Sequence, residues 1–216
     1  DDAAPAWNSI GNRELIAEAF VPFDRETSVI ASRDRDGNIV VFPMTENVHH
    51  EGILRYSLYP APALSQEKAE QAERYIRQLA ESLDYVGTIT LELFDTEDGL
   101  VGNEVAPRVH NSGHWSIEGT EASQFRNHML AITGKSLGAT EPKFASVAML
   151  NVISEETPAE KADGIDNAHR HSYGKEARPA RKLGHVTVTG SNDAERDATI
   201  TELSALMPEG IWPPKH

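Results

Sequence analysis

Glu92 and Glu104 flank the turn-like tetrapeptide Thr96-Glu97-Asp98-Gly99, which separates the apolar runs Tyr85–Phe94 and Leu100–Ala106. Taken as strands joined by the loop Glu97-Asp98-Gly99, these runs form a hairpin in which Glu92 faces Glu104. In that register Ile89, Leu91, Leu93, Val101 and Val105 share one face, and Thr88, Thr90, Glu92, Gly102, Glu104 and Ala106 share the other. Carboxylates directly opposite one another sit about 5 Å apart at Cβ and repel. A hard divalent cation such as Mg²⁺, a shared proton, or plain solvation of an exposed face would each relieve that repulsion. On spacing alone the solvated face is the simplest account. A two-residue loop would instead send Glu104 to the other side of the hairpin.

The stretch that follows, NEVAPRVHNSGHWSIEG over 103–119, concentrates polar chemistry beside a strand end. Arg108 offers a planar fork for a carboxylate or phosphate. His110, Asn111 and Ser112 can orient a small oxyanion, and Gly113 lets backbone approach closely. His110 and His114 have the spacing of a helical zinc pair, but Asn111-Ser112-Gly113 breaks a helix and no HExxH pattern is present. A third cluster, HRHSYGKEARPARKLGH over 169–185, sets Arg170, Lys175, Arg178, Arg181 and Lys182 against Glu176 alone, a local balance of +4. With Tyr173 as its one aromatic it lacks stacking platforms for single-stranded nucleic acid. It suits a phosphate monoester on a small molecule, or is a solvated loop pairing with nearby acids.

The elements that must position these groups follow from periodicity. Arg13–Phe20 reads as a strand, and Glu26–Arg33 and Asn38–Met44 as a hairpin about Asp36-Gly37. Ser65 caps a helix running to about Leu83, with Ala69, Ala72, Ile76, Leu79 and Leu83 on one face and Glu70–Arg74 and Glu73–Arg77 as wet-face pairs. Ala122–Thr133 is a second helix, Gly134 to Pro142 a loop and candidate boundary, and Phe144–Ile153 a strand. Ser154–Asn167 is a polar excursion, residues 169–189 hold two short strands around the basic loop, and Asn192 or Asp193 caps a last helix ending at Pro208. The pattern is α+β with antiparallel hairpins.

The 216 residues carry 20 Lys and Arg against 34 Asp and Glu, a net charge of −14, and no cysteine. Disulfides, thiolate nucleophiles and cysteine-bound zinc are thereby excluded. The overall field disfavours nucleic acid and anionic lipid. No apolar run approaches the ~20 residues of a membrane-spanning helix, and Asp1 to Trp7 do not form a secretory signal. The resulting expectation is a cytoplasmic protein with no nucleic-acid or membrane partner.

Five runs, ENVHHEGIL (46–54), GTITLELF (87–94), NEVAPRVHNSGHW (103–115), SQFRNHMLAITG (123–134) and YGK…RKLGHV (173–186), resemble the 5-(carboxyamino)imidazole ribonucleotide synthases, the ATP-grasp ligases of purine biosynthesis. The resemblance covers about Glu18 to Val188. It implies the C-terminal half of an ATP-grasp domain over residues 1–140, an antiparallel sheet with helices, then a small β-rich C-terminal domain over 141–216. It implies that ATP phosphorylates bicarbonate to carboxyphosphate, which carboxylates aminoimidazole ribonucleotide, with ATP and Mg²⁺ as cofactors and a homodimer in the full-length enzyme.

By the same resemblance Glu92 and Glu104 are the metal ligands. Glu18, Ala19, Phe20 and Val21 form the interdomain strand whose backbone reads adenine. Glu26 accepts from the ribose hydroxyls, His49 lies against the nucleotide, and Asn103 nears the phosphates, although strict alternation turns its side chain away from Glu104 unless the strand is bulged. Arg108, His110, Asn111 and Ser112 hold bicarbonate or carboxyphosphate and the ribonucleotide. Lys175, Arg181 and Lys182 take the 5′-phosphate or the carboxyphosphate. Family members are longer at the N-terminus, and Asp1 to Gly11 matches the tail of their small glycine-rich-loop domain. The expectation is therefore the C-terminal portion of a longer enzyme, inactive alone. Another ATP-grasp carboxylase or ligase, or a catalytically incomplete binding fragment, are the alternatives.

Overall fold

The computed structural model describes residues 3–11, 14, 16–154 and 163–205. After helix α1 (Ala3–Ile10) come strands β1 (Arg25–Arg33), β2 (Ile39–His50) and β3 (Ile53–Tyr59), then helix α2 (Gln66–Ser82). The hairpin β4 (Gly87–Thr96) and β5 (Gly99–Ala106) leads to a single 3₁₀ turn, Asn111–Gly113, and to the short helices α3 (Ser116–Gly119) and α4 (Gln124–Ile132). Strands β6 (Ser146–Ile153), β7 (Ala168–Ser172) and β8 (Lys182–Gly190) and helix α5 (Asp193–Ser204) complete the order. Among the described residues eight strands form one antiparallel sheet ordered β5-β4-β1-β2-β3-β6-β8-β7. The junction is β3 with β6, from Tyr56↔Leu150 to Tyr59↔Val147.

Alternation along the strands gives the sheet two unlike faces. On one, α2 lays Ala72, Ile76 and Ala80 over Val29, Ala31, Met44, Ile89, Leu91 and Leu93. Farther along the same sheet, Ile200 and Leu203 of α5 join Tyr56, Leu58, Leu150, Val186 and Val188. The caps expected for these helices form: Ser65 Oγ accepts from Lys68 N, and Asn192 Oδ1 accepts from Glu195 N. Glu73 pairs with Arg77 at 2.8 Å, whereas Glu70 accepts from Gln66. The other face buries polar side chains, among them Ser28, Thr45, Asn47, Ser57, Asn151, His185 and Thr187. The 3₁₀ turn, α3 and α4 pack against it.

Several expectations change. Residues 16–20 form no strand, and Ile16 and Phe20 are exposed; Arg13 and Leu15 lie outside the described residues. A strand persists only with a paired edge, and no described strand pairs with this segment. The second helix starts later than Ala122 because Ser123 is its cap, its Oγ accepting from Arg126 N. β2 extends through His50, six residues past Met44, the expected end of that strand. Residues 155–162 of the polar excursion and the Pro208 stop lie outside the described residues.

Candidate functional site

The β4–β5 hairpin brings Glu92 and Glu104 opposite one another by an unexpected route. The loop has two residues, since Thr96 pairs with Gly99. Alone, that register would turn Glu104 away. The ladder then slips by one residue between the pairs Leu93↔Gly102 and Glu92↔Glu104, leaving Asn103 as a bulge. A bulge re-aims side chains, and here it restores the facing carboxylates. It also resolves the position of Asn103, which lines a cavity of about 220 Å³ with Glu18, Ala19, Phe20, Val21, Phe23 and Phe94. Val101, expected on the face of Ile89, Leu91 and Leu93, instead lies opposite Phe94 and is exposed, and Leu100 is buried with that face.

Ser28 on β1 lies opposite Glu92, and Glu26 opposite Phe94. Ser28 Oγ donates to Ser112 Oγ at 2.8 Å, and Ser112 Oγ lies 2.9 Å from Nδ1 of His110. The backbone N–H of Ser112 also donates to that Nδ1. Nδ1 of His110 is therefore an acceptor and its proton sits on Nε2, 3.4 Å from Glu92 Oε1. Ser112 is wholly buried with its hydroxyl engaged, so it orients His110 rather than facing open space. Asn111 and Asn151 exchange amide hydrogen bonds of 2.9 and 2.7 Å, and Asn151 also donates to Leu54 O.

Two further ladder slips bring distant residues to this face. Between Val48 and His49 the β2–β3 register shifts, and His49 Nδ1 lies 3.0 Å from Glu26 Oε2. Between Val152 and Ile153 the β6–β8 register shifts, setting Lys182 opposite Ile153, on the side that carries Asn151. Gly184 is required beside this slip, because a Cβ there would stand 2.3 Å from His171 O. Lys175 lies over the Tyr173 ring at 5.1 Å, Arg178 pairs with Glu176, and Arg181 donates to Glu176 O. Lys182, by contrast, interacts electrostatically with Glu92 and Arg108.

Burial raises the Glu92 carboxyl above its ordinary range; His49 and Lys182 oppose the rise, and Glu104 and Glu26 add to it. Burial likewise lowers Lys182, with Glu92 opposing and Arg108 assisting. Burial, helped by Arg108, Lys182 and His49, pulls His110 down to about 4, so it is neutral near pH 7. Carboxylates crowded at one end of the face thus lack full compensation. Among the described residues no three His, Asp or Glu form a cation cage. Glu92 and Glu104 fit a Mg²⁺ that takes its other oxygens from phosphates and water.

Motif spacing did not reveal four members of this face: Asn151, Gln124 and the stacked pair His171 and His185. Asn151 is forty residues from Asn111 in sequence and meets it only through β3–β6 pairing. Gln124, wholly buried, bonds the backbone of His110. His185 stacks on His171 at 4.5 Å and accepts or donates at Nδ1 with Tyr173 OH. The signal available for the last pair was their place in the HRHSYGK…GH run.

The family model described as ATP-grasp domain matches residues 1–125. The chain belongs to the ATP-grasp family. A second model, phosphoribosylaminoimidazole carboxylase C-terminal domain, matches residues 147–199. The N5-carboxyaminoimidazole ribonucleotide synthase of Vibrio parahaemolyticus is 42% identical over 203 residues, which is 94% of this chain and 52% of that protein. The crystal structure of N5-carboxyaminoimidazole ribonucleotide synthetase from Thermus thermophilus superposes with a TM-score of 0.92 at 46% identity, covering 98% of this chain and 59% of that one. The Aspergillus clavatus N5-carboxyaminoimidazole synthase, solved with ADP and 5-aminoimidazole ribonucleotide, gives a TM-score of 0.88 at 32% identity over 95% of this chain and 57% of its own. The chain spans about half the length of the curated relatives it matches.

Proposed function

We propose that this chain supplies one wall of a site, within a longer protein, that uses ATP to carboxylate 5-aminoimidazole ribonucleotide with bicarbonate. The observation that carries the proposal is the continuous polar face: Glu104 and Glu92, then His110 and Ser112, then Asn111 with Asn151, bordered by Lys182. The relatives that match over nearly all of this chain bear the name of that activity, and one was solved with ADP and the ribonucleotide.

Bicarbonate is a poor electrophile, and phosphorylation gives it a leaving group. A bicarbonate oxygen attacks the γ-phosphorus and ADP departs. The amine nitrogen then attacks the carboxyphosphate carbon, phosphate leaves with the bridging oxygen, and the amine gives up a proton. Such transfers need positioning and charge neutralisation more than covalent help from the protein. Glu92 and Glu104 would hold Mg²⁺, which would neutralise phosphate charge. Glu26 accepts from the ribose hydroxyls beside His49. Glu18–Val21 border the adenine, and Asn103, which lines the same cavity, lies toward the phosphates. Arg108, His110 and Asn111 hold bicarbonate and carboxyphosphate, with Ser112 acting through His110. Lys182, with Lys175 and Arg181, takes the anionic phosphate. The proposal places residues 1–140 in the ATP-grasp part and 141–216 in a small C-terminal domain of a cytoplasmic homodimer.

Phosphate release by the full-length protein tests the proposal. Release that requires both bicarbonate and aminoimidazole ribonucleotide is expected. Turnover with formate and none with bicarbonate would indicate a different ATP-grasp ligase. Nucleotide binding without turnover under any of these conditions would indicate a binding module.

A further inference from the structure

Gln124 is wholly buried, yet every polar atom of its side chain is engaged. Its Oε1 accepts from the backbone N–H of His110 at 2.9 Å, and its Nε2 donates to the carbonyl of the same residue at 2.7 Å. A backbone N–H can only donate and a carbonyl can only accept, so these two bonds fix which end of the amide is which. The second Nε2 hydrogen then has one partner, Nδ1 of His114, at 3.1 Å. Nδ1 of His114 must be an acceptor, and the ring proton must sit on Nε2. Among the described residues Nε2 of His114 has no hydrogen-bond partner.

The clamp is itself clamped. Ser116 Oγ donates to Gly113 O and accepts from Gln124 N, while Gln124 O accepts from Thr88 Oγ1. Gly113 sits so close that a Cβ there would stand 2.6 Å from Gln124 Oε1. The glycine in His110-Asn111-Ser112-Gly113-His114 thus makes room for the amide that binds both histidines. The His114 ring packs against Phe125, Tyr173 and His185, and His110, Lys182 and His171 lie within electrostatic range.

We propose that Gln124 is a positioning residue that locks His114 in the Nε2–H tautomer, so that its imidazole presents a neutral hydrogen-bond donor to an anionic ligand on this face. The identity of that ligand as carboxyphosphate or the ribonucleotide phosphate rests on the function proposed above; the tautomer does not.

The test is long-range ¹H–¹⁵N NMR of the histidine rings at pH 7 in this chain, paired with turnover in the full-length protein. Wild type shows His114 protonated at Nε2. In Gln124→Glu an accepting carboxylate replaces the amide donor and draws a proton to Nδ1. In the donor-less Gln124→Met the lock is lost and a tautomer mixture appears. Turnover in both variants falls about 10–100-fold, the range known for partners that orient metal-bound histidines, and shows in kcat more than in KM for ATP. A wild-type His114 protonated at Nδ1 overturns the proposal whether or not the variants fold. So does an Nε2–H signal unchanged in both variants, or full turnover once the tautomer has moved. If wild type shows the Nε2–H tautomer, both variants move it, and no bicarbonate-dependent turnover is found, the proposed function fails and the tautomer lock stands.

Discussion

On one face of the sheet Ile76 of α2 meets Ile89, Leu91 and Leu93 with no polar atom to satisfy; on the other, Ser28, Thr45, Asn47 and Ser57 are just as buried but joined by hydroxyl and amide bonds. The apolar face is set mainly by alternation along the strands, with one slip in the β1–β2 ladder between Ser28 and Ile30, beside Val29 and Met44. The polar face depends on slips in other ladders. Asn103, His49 and Lys182 each stand at one. Burial of apolar area stabilises the fold, while the slips assemble charges that the fold alone leaves poorly compensated. Stability and function should therefore separate by face.

Ile76→Ala gives the largest stability effect. Removing a fully buried side chain from the α2 face costs about 2–5 kcal/mol, and roughly 2–4 °C of melting temperature per kcal/mol at this size. The nucleotide affinity of the folded full-length variant stays near that of wild type. A melt unchanged by this substitution would break the comparison from the apolar side.

Glu104→Gln is the counterpart. In the full-length protein it lowers turnover about 100-fold, as expected for losing a ligand to a charge-neutralising metal. Melting temperature in the absence of nucleotide holds or rises, because a repulsion opposite Glu92 is removed. Normal turnover by Glu104→Gln would show that the facing carboxylates do not hold the metal.

The polar face also sets a pH slope. Burial lowers His114 to about 4 and His185 to about 2, His110 adding to the first and His114 to the second. Both folded pKa values lie below the ordinary 6.5, so the unfolded chain binds more protons and stability falls with falling pH. The contribution is complete above about pH 6.5 and is lost progressively toward pH 4 and below. Glu92, raised by burial, works in the opposite sense as a single group. Melting temperature followed from pH 7 to pH 4 should drop, and drop less in His185→Asn; equal slopes would mean the polar face carries no such linkage. Ile76→Ala should shift the whole curve without changing its slope.

The same division explains what sequence reveals. Helix α2 was legible because Ser65, Ala72 and Ile76 act through local spacing. The facing glutamates were legible in outcome, but the three-residue loop expected to place them is absent, and the bulge at Asn103 supplies the missing residue. Glu18–Val21 had the composition of a strand without a neighbour to pair with, and so lines a cavity instead. Asn151 and Gln124 were invisible because an amide shows no periodicity, and their partners are set by sheet order and by the fold of the turn over it. Residue type and spacing singled out Glu92, Glu104 and the run from Arg108 to Ser112; the buried amides of Asn151 and Gln124 that hold that run needed the structure.

The central claim, that this face activates bicarbonate by phosphorylation, is tested most directly by oxygen transfer. The full-length protein is supplied with ¹⁸O-labelled bicarbonate, ATP and aminoimidazole ribonucleotide, and the released phosphate is analysed by mass spectrometry. Phosphate carrying one bicarbonate oxygen per turnover is the predicted result. Unlabelled phosphate, released while the ribonucleotide is carboxylated, would contradict it.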